Sequence, residues 1–362
     1  MPKYHFQDIQ PDWQGLVNCI LRRETPERVY HVELLFDPEV QDAIMRRSGL
    51  LDNGEPEDAM FPLQREMAVR QFLGQDFVRC GLDDVTMVFH RSTAEDTSAL
   101  QRNAGRTFVD SGTGPVTTWE EFERYEWPDP DKAGTQSLEW MSNNLPENMC
   151  LATTGFGHFA EHLTWLMGFE HMCMSLYDNR SLVGAVCEKL LDINTRMLKR
   201  LLTFDSVRVI WASDDMGFRT GTMISPDDLR EFILPAHKRM AQMAHEAGRP
   251  YILHSCGNLR QIMDDLIDDV QIDAKHSFED TIESVVDMKR CYGDRVALLG
   301  GIDMDFLCRS DHAAIRRRVR ETLDACQPGG GYCLGTGNSV ANYIPLDSYL
   351  TMVDEGMHYG AQ

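Results

Sequence analysis

No apolar stretch in this chain of 362 residues approaches the ~20 residues that a membrane helix needs, so no helical span is expected. Residues 1–8 lack the apolar core of a leader peptide, and the sequence therefore predicts a cytoplasmic protein with no membrane partner. Basic residues are scarce. Lys and Arg number 35 against 57 Asp and Glu, a formal net charge of −22. Such a field argues against nucleic acid as a partner and suits a polyanionic small molecule poorly. No CxxC pair occurs. The ten cysteines are scattered, several of them in apolar runs (Cys80, Cys150, Cys333) or on a helical face (Cys187). That is the usage of small buried hydrophobes in a reducing compartment, not of a disulfide framework. Neither His-Glu-x-x-His nor a Ser nucleophile elbow is present, which lowers the hydrolase options.

What remains is an ordinary globular composition, 43% hydrophobic and 25% charged, long enough for two domains or one large α/β barrel. The pattern favours the barrel. Eight β-rich runs stand at residues 28–35, 76–80, 149–154, 207–212, 251–255, 271–276, 296–300 and 331–335, with amphipathic helices between the later ones. Strands alternating with helices pair in parallel, and eight such units predict a closed (β/α)8 TIM-type barrel, here as a single domain over 1–362. Residues 81–132 are polar and turn-rich and end in Trp127-Pro128-Asp129-Pro130-Asp131. They read as an insertion between early strands, a β-hairpin serving as a lid over the mouth. One helix is well signalled. Ser225-Pro226-Asp227-Asp228 supplies an N-cap, an early Pro and acids in the first turn. Leu229, Phe232, Ile233, Ala236, Met240 and Met243 follow at helical spacing, and Gly248 ends it.

In a barrel, functional groups collect where strands end. Those points read Ser213-Asp214-Asp215, His254-Ser255-Cys256-Gly257, His276-Ser277-Phe278-Glu279, Gly301-Ile302-Asp303 and Gly335-Thr336-Gly337-Asn338. Acids there often only cap the next helix, and glycines often only permit a turn. His254 and Cys256 are harder to dismiss. Two residues apart at a strand end, they share one face. Imidazole and thiolate are ligands that Zn²⁺ takes. A third ligand is needed. Cys333 is the Cys of the last run, but it precedes Asn338 by roughly 16 Å at ~3.3 Å per residue. Asp215, His276 and Glu279 compete with it. Zinc held this way can activate water or bind a substrate thiol.

The stretches Trp211 to Gly217, Ser225-Pro226, Arg230-Glu231-Phe232, Pro235, Lys238, His254 to Asn258, Asp265-Leu266-Ile267, Gly300 to Asp303 and Gly335 to Ser339 together resemble the uroporphyrinogen decarboxylase superfamily. Within it they resemble the zinc-dependent corrinoid methyltransferase-like branch that includes methylcobalamin:coenzyme M methyltransferases. The resemblance implies a (β/α)8 barrel, in agreement with the eight runs. It implies zinc on a His-x-Cys…Cys pattern, which falls on His254, Cys256 and Cys333. Read without gaps from Pro345-Leu346, the family's last Cys falls instead on Asn338. The Arg-Gln-Ala-Gly-Arg signature that grips an octacarboxylate in the decarboxylase proper is absent, which disfavours that activity.

The resemblance thus implies a zinc-dependent methyltransferase. It would move a methyl group between a small methylated substrate or thiol acceptor and a corrinoid, either free methylcobalamin or a corrinoid protein. Asp214, Asp215, His276 and Glu279 would orient substrate and handle protons. Gly335, Gly337 and Asn338 would contact the cofactor. Family members often dimerise, so a homodimer is expected. Two alternatives stand beside this reading. One is a metal-free lyase acting on a tetrapyrrole or smaller carboxylate, with Asp214 or Asp215 stabilising a protonated intermediate. The other is a barrel that binds a corrinoid or tetrapyrrole without turnover.

Overall fold

Seven of the eight expected runs pair side by side in one parallel sheet. The computed structural model describes residues 9–50, 58–102 and 105–359, so residues 1–8, read above for a leader, lie outside the described part. The strands are β1 (Phe77–Cys80), β2 (Arg91–Ala94), β3 (Arg106–Val109), β4 (Cys150–Thr153), β5 (Val207–Ser213), β6 (Tyr251–His254), β7 (Ala274–His276), β8 (Ala297–Leu299) and β9 (Tyr332–Cys333). The sheet order is β1-β4-β5-β6-β7-β8-β9, every neighbour parallel, and β2 and β3 form a separate antiparallel ribbon. Among the described residues no helix is long and apolar enough to cross a membrane.

Alternation along the strands divides two cores. Cys150, Ala152, Val209, Trp211, Ile252, Ala274, Ala297, Leu299 and Cys333 face the barrel interior. Leu151, Ile210, Tyr251, Leu253 and Leu298 face the helical layer. Each large side chain buried in either core contributes about 1.5–3 kcal/mol. The helix Trp13–Ile20 plugs the N-terminal end with Leu16, Val17, Cys19 and Ile20. Period two then aims Ser213, His254 and His276 inward at the opposite, C-terminal end. Their register agrees: Ser213 pairs with His254, and His254 with His276.

Run 28–35 departs from the expectation of eight regular strands. It is extended but bridges β9 only at His31 and Leu334, with Val32 N–H donating to the Leu334 carbonyl (2.9 Å) and Leu334 N–H to that of Tyr30 (2.8 Å). Toward β1, two buried guanidiniums stand where a backbone ladder would close the sheet. Arg70 donates to the Glu33 carbonyl at 3.1 Å. Arg79 donates to the Leu34 carbonyl at 2.8 Å and to the Thr153 carbonyl at 2.9 Å. The closure is therefore made by side chains.

The ribbon β2–β3 falls within the 81–132 segment. Arg102 pairs with Glu39 at 2.8 Å and Arg106 with Asp37 at 3.2 Å, and Asn342 donates to Asp96 at 2.7 Å. Asp37 and Asn342 follow the C-terminal ends of the first run and of β9, so these bonds tie the segment to that side of the barrel. The signalled helix begins as expected, with Ser225 accepting from Asp228 N–H at 3.1 Å. It is then interrupted by a π-helical turn over Leu229–Ile233 before the helix Leu234–Glu246. Pro235 has no N–H to donate back along the helix, which accounts for the break.

Candidate metal centre

The loops after β5 and β6 meet through glycine. Gly257 has φ +84°, and a Cβ there would sit 2.2 Å from the Gly217 backbone, so only glycine allows this approach. The contact brings Asp215 and Cys256 together: Cys256 N–H donates to Asp215 Oδ1 at 2.8 Å. His254 Nε2 lies 3.4 Å from Cys256 Sγ and 3.6 Å from Asp215 Oδ1. These three ligand atoms lie within 4.8 Å of one another, and no other group of three or more His, Cys, Asp or Glu does so among the described residues.

The spacing fits zinc. Ligand atoms at ~2.3 Å (S) and ~2.0 Å (N, O) from a tetrahedral ion lie about 3.3–3.6 Å apart. The protonation states fit as well. Burial, with the nearby His276 and Lys275, holds His254 well below the ordinary imidazole range, against the pull of Asp215. His254 is therefore a neutral ring with a lone pair to offer. Its Nδ1 is 2.7 Å from Nδ1 of His276, whose pKa burial lowers to about 3. With Nε2 of His254 turned to the donor group, its Nδ1 carries the shared hydrogen and His276 accepts it, which fixes the ring. Nε2 of His276 is buried without a hydrogen bond of good geometry, though the Thr336 backbone is near enough to favour the charged ring slightly. Burial and then the Asp215 charge push the Cys256 thiol up, while Ser277 and Asn338 oppose them. A bound cation would reverse that balance and favour the thiolate.

The other expected site residues are placed as follows. Asp214 is fully buried and accepts from Ala160 N–H (2.9 Å) and Glu161 N–H (3.0 Å), anchoring the start of the helix Phe159–Met167, while His237 Nε2 lies 2.9 Å away. His276 stands behind His254. Glu279 is not in the donor group. It lines a separate groove of about 780 Å³ with Asp280, Asp303, Phe306 and Tyr343. Cys333 is also absent from the group. It packs in the interior core with Cys19 of the plugging helix, whose thiol donates to the neighbouring Tyr332 carbonyl at 3.4 Å. Strands in such a barrel tilt by ~36°, so residues paired side by side step along the axis from strand to strand. Cys333 pairs with Leu299 and Leu299 with His276, yet it is the Thr336 backbone that comes near His276. Asn338, farther along, reaches Cys256 Sγ with its Nδ2 at 3.2 Å. Gly335 and Gly337 allow close packing: a Cβ on either would sit 2.0–2.1 Å from the carbonyl oxygen of Val32 or Phe278.

Three neighbours carried little or no signal in the sequence. Ser277 Oγ donates to Cys256 Sγ at 3.4 Å. His158 and Glu161 form a pair at 2.6 Å, held beside the acidic loop because Glu161 N–H is bound by Asp214. Burial pulls the His158 pKa down, but the hydrogen bond and charge of Glu161 outweigh it, and the net shift is upward.

Comparisons with known proteins bear on the family and the fold. The family profile described as uroporphyrinogen decarboxylase (URO-D) matches residues 111–359. A curated relative, the methylated-thiol--coenzyme M methyltransferase of Methanosarcina mazei, is 32% identical over 130 residues, which is 36% of this chain. The alignment spans about a third (32%) of that relative's length. Among solved structures, a methyltransferase from Methanosarcina mazei superposes with a TM-score of 0.68 at 16% identity, covering 98% of each chain. That likeness establishes the fold. With more than half of its length matched by the profile, including β5 to β9 and all three donor residues, the chain belongs to the uroporphyrinogen decarboxylase family.

Proposed function

We propose that this protein is a zinc-dependent methyltransferase that moves a methyl group between a small substrate and a corrinoid, carried as free methylcobalamin or on a corrinoid protein. The observation that carries this reading is the convergence of Asp215, His254 and Cys256 at the open end of the barrel. The relative named for methyl transfer from a methylated thiol supports the reaction class. Zinc, when bound, supplies Lewis acidity to the substrate heteroatom, and the corrinoid accepts or supplies the methyl group.

The chain's own residues do the rest. Asp215, His254 and Cys256 hold the ion, with His276 fixing the ring of His254. One oxygen, one nitrogen and one sulfur make a harder donor set than a thiolate pair, and it favours substrates that present oxygen or nitrogen. A methoxy or methylamino compound is therefore the preferred substrate. His158, supported by Glu161, exchanges the proton that the heteroatom gains or loses. Asp214 is a positioning residue, since its oxygens are already taken. The 81–132 segment, tied to the mouth by Arg102 and Arg106, serves as the lid. The test is methyl transfer from methoxy or methylamino compounds to cob(I)alamin, followed by the absorbance of methylcobalamin. Turnover is expected, and its loss on chelation and in Cys256→Ser. Turnover that survives both contradicts the reading.

A further inference from the structure

Lys275 sits in the middle of β7, between two inward-facing residues, so its side chain points into the layer behind the sheet. It is 1% exposed. Burying an ammonium costs several kcal/mol unless strong partners hold it, so its partners are informative. Nζ donates to the Ser277 carbonyl at 2.6 Å and lies 4.4 Å from the centroid of the Phe278 ring. The other end of the same peptide is fixed too, because Phe278 N–H donates to the Gly337 carbonyl at 2.9 Å. Held at both ends, this peptide accompanies a Ser277 backbone at φ +88°, in the left-handed region. That region is strained for a residue with a Cβ. The result is a hydroxyl aimed at Cys256 Sγ at 3.4 Å, with Asn338 Nδ2 at 3.2 Å from the same sulfur. Two donors on one sulfur suit a thiolate, the form that binds metal.

We infer that Lys275 is a positioning residue for Cys256, holding the Ser277 backbone in its strained conformation so that the hydroxyl supports the metal-binding sulfur. This rests on the metal reading above. The electrostatics agree: burial lowers the Lys275 pKa to about 8, and the charges of Glu283, Cys256 and Asp215 work against that lowering.

Three full-length variants test it: Lys275→Met, Ser277→Ala and the double variant. In a crystal structure of metal-free Lys275→Met, residue 277 leaves φ near +88° and its Oγ withdraws from Cys256. Cobalt(II), titrated against a chromophoric chelator, binds about 10–100-fold more weakly to each single variant, with a weaker sulfur-to-cobalt charge-transfer band. The double variant is no worse than the weaker single, because both changes remove one hydrogen bond. An unchanged Ser277 backbone in Lys275→Met, wild-type cobalt affinity in either single variant, or additive losses in the double overturns the inference. Should Lys275→Met fail to fold, Ser277→Ala still decides the sulfur contact. A wild-type protein that takes up no cobalt sinks the metal reading instead, and the crystallographic arm still decides the link from Lys275 to Cys256.

Discussion

Asp214 commits its carboxylate to the amides of Ala160 and Glu161 and to His237, whereas its neighbour Asp215 meets the Cys256 amide and stands 3.6 Å from His254. Consecutive residues leaving a strand point to opposite sides, so the two acids have different work. Asp214→Asn is expected to lower stability by about 1–3 kcal/mol in urea unfolding, since an amide cannot accept all the same bonds, while the variant still binds zinc. Asp215→Asn is expected to do the reverse, keeping its stability and losing zinc in equilibrium dialysis. Loss of metal in the first variant and retention in the second would refute this assignment. The pairing of His254 with Cys256 was legible in the sequence because alternation alone puts both on one face. The choice of Cys333 was not safe at that level. A sequence shows which strand carries a residue, but tilt decides its height, and tilt leaves Cys333 beside Cys19 while Asn338 reaches the sulfur. Ser277 gave no signal, because its position depends on a buried lysine two residues earlier.

At the scale of elements, the seven runs that pair in the parallel sheet were legible, and an antiparallel ribbon stands within residues 81–132. How the first run joins β1 was not legible, because guanidiniums make that closure. Arg79→Met removes the guanidinium from the Thr153 carbonyl and leaves the Leu34 carbonyl with only the longer bond from Arg70 (3.4 Å). It is expected to lower stability by about 3 kcal/mol, read as a shifted urea midpoint at unchanged slope. Glu33 tests the other edge of the first run, toward β9, by pH. Its carboxylate accepts from Thr336 N–H at 3.0 Å and Oγ1 at 2.6 Å, yet burial raises its pKa to about 8, against a usual ~4.3 in an unfolded chain. Between those values the folded state holds the proton more tightly. The Glu33 contribution is thus fully present below about pH 4.3 and lost as pH rises through 8, at up to about 1.4 kcal/mol per pH unit. Glu33→Gln should flatten that slope. A variant whose stability follows pH as the wild type does would contradict the assignment.

The whole molecule is a barrel closed below by the helix Trp13–Ile20, and above it the loops after β5, β6, β7 and β9 converge around Cys256. The Arg-Gln-Ala-Gly-Arg signature that grips an octacarboxylate is absent from the sequence, while Asp215, His254 and Cys256 bring together three atoms that could hold a metal ion. Zinc K-edge X-ray absorption of the purified protein reads the donor set itself. About one zinc per chain is expected, with a single sulfur neighbour at ~2.3 Å and the remainder nitrogen or oxygen, and the same spectrum in Cys333→Ser. Two sulfur neighbours, with one lost in Cys333→Ser, or a protein that binds no zinc, would contradict that donor set.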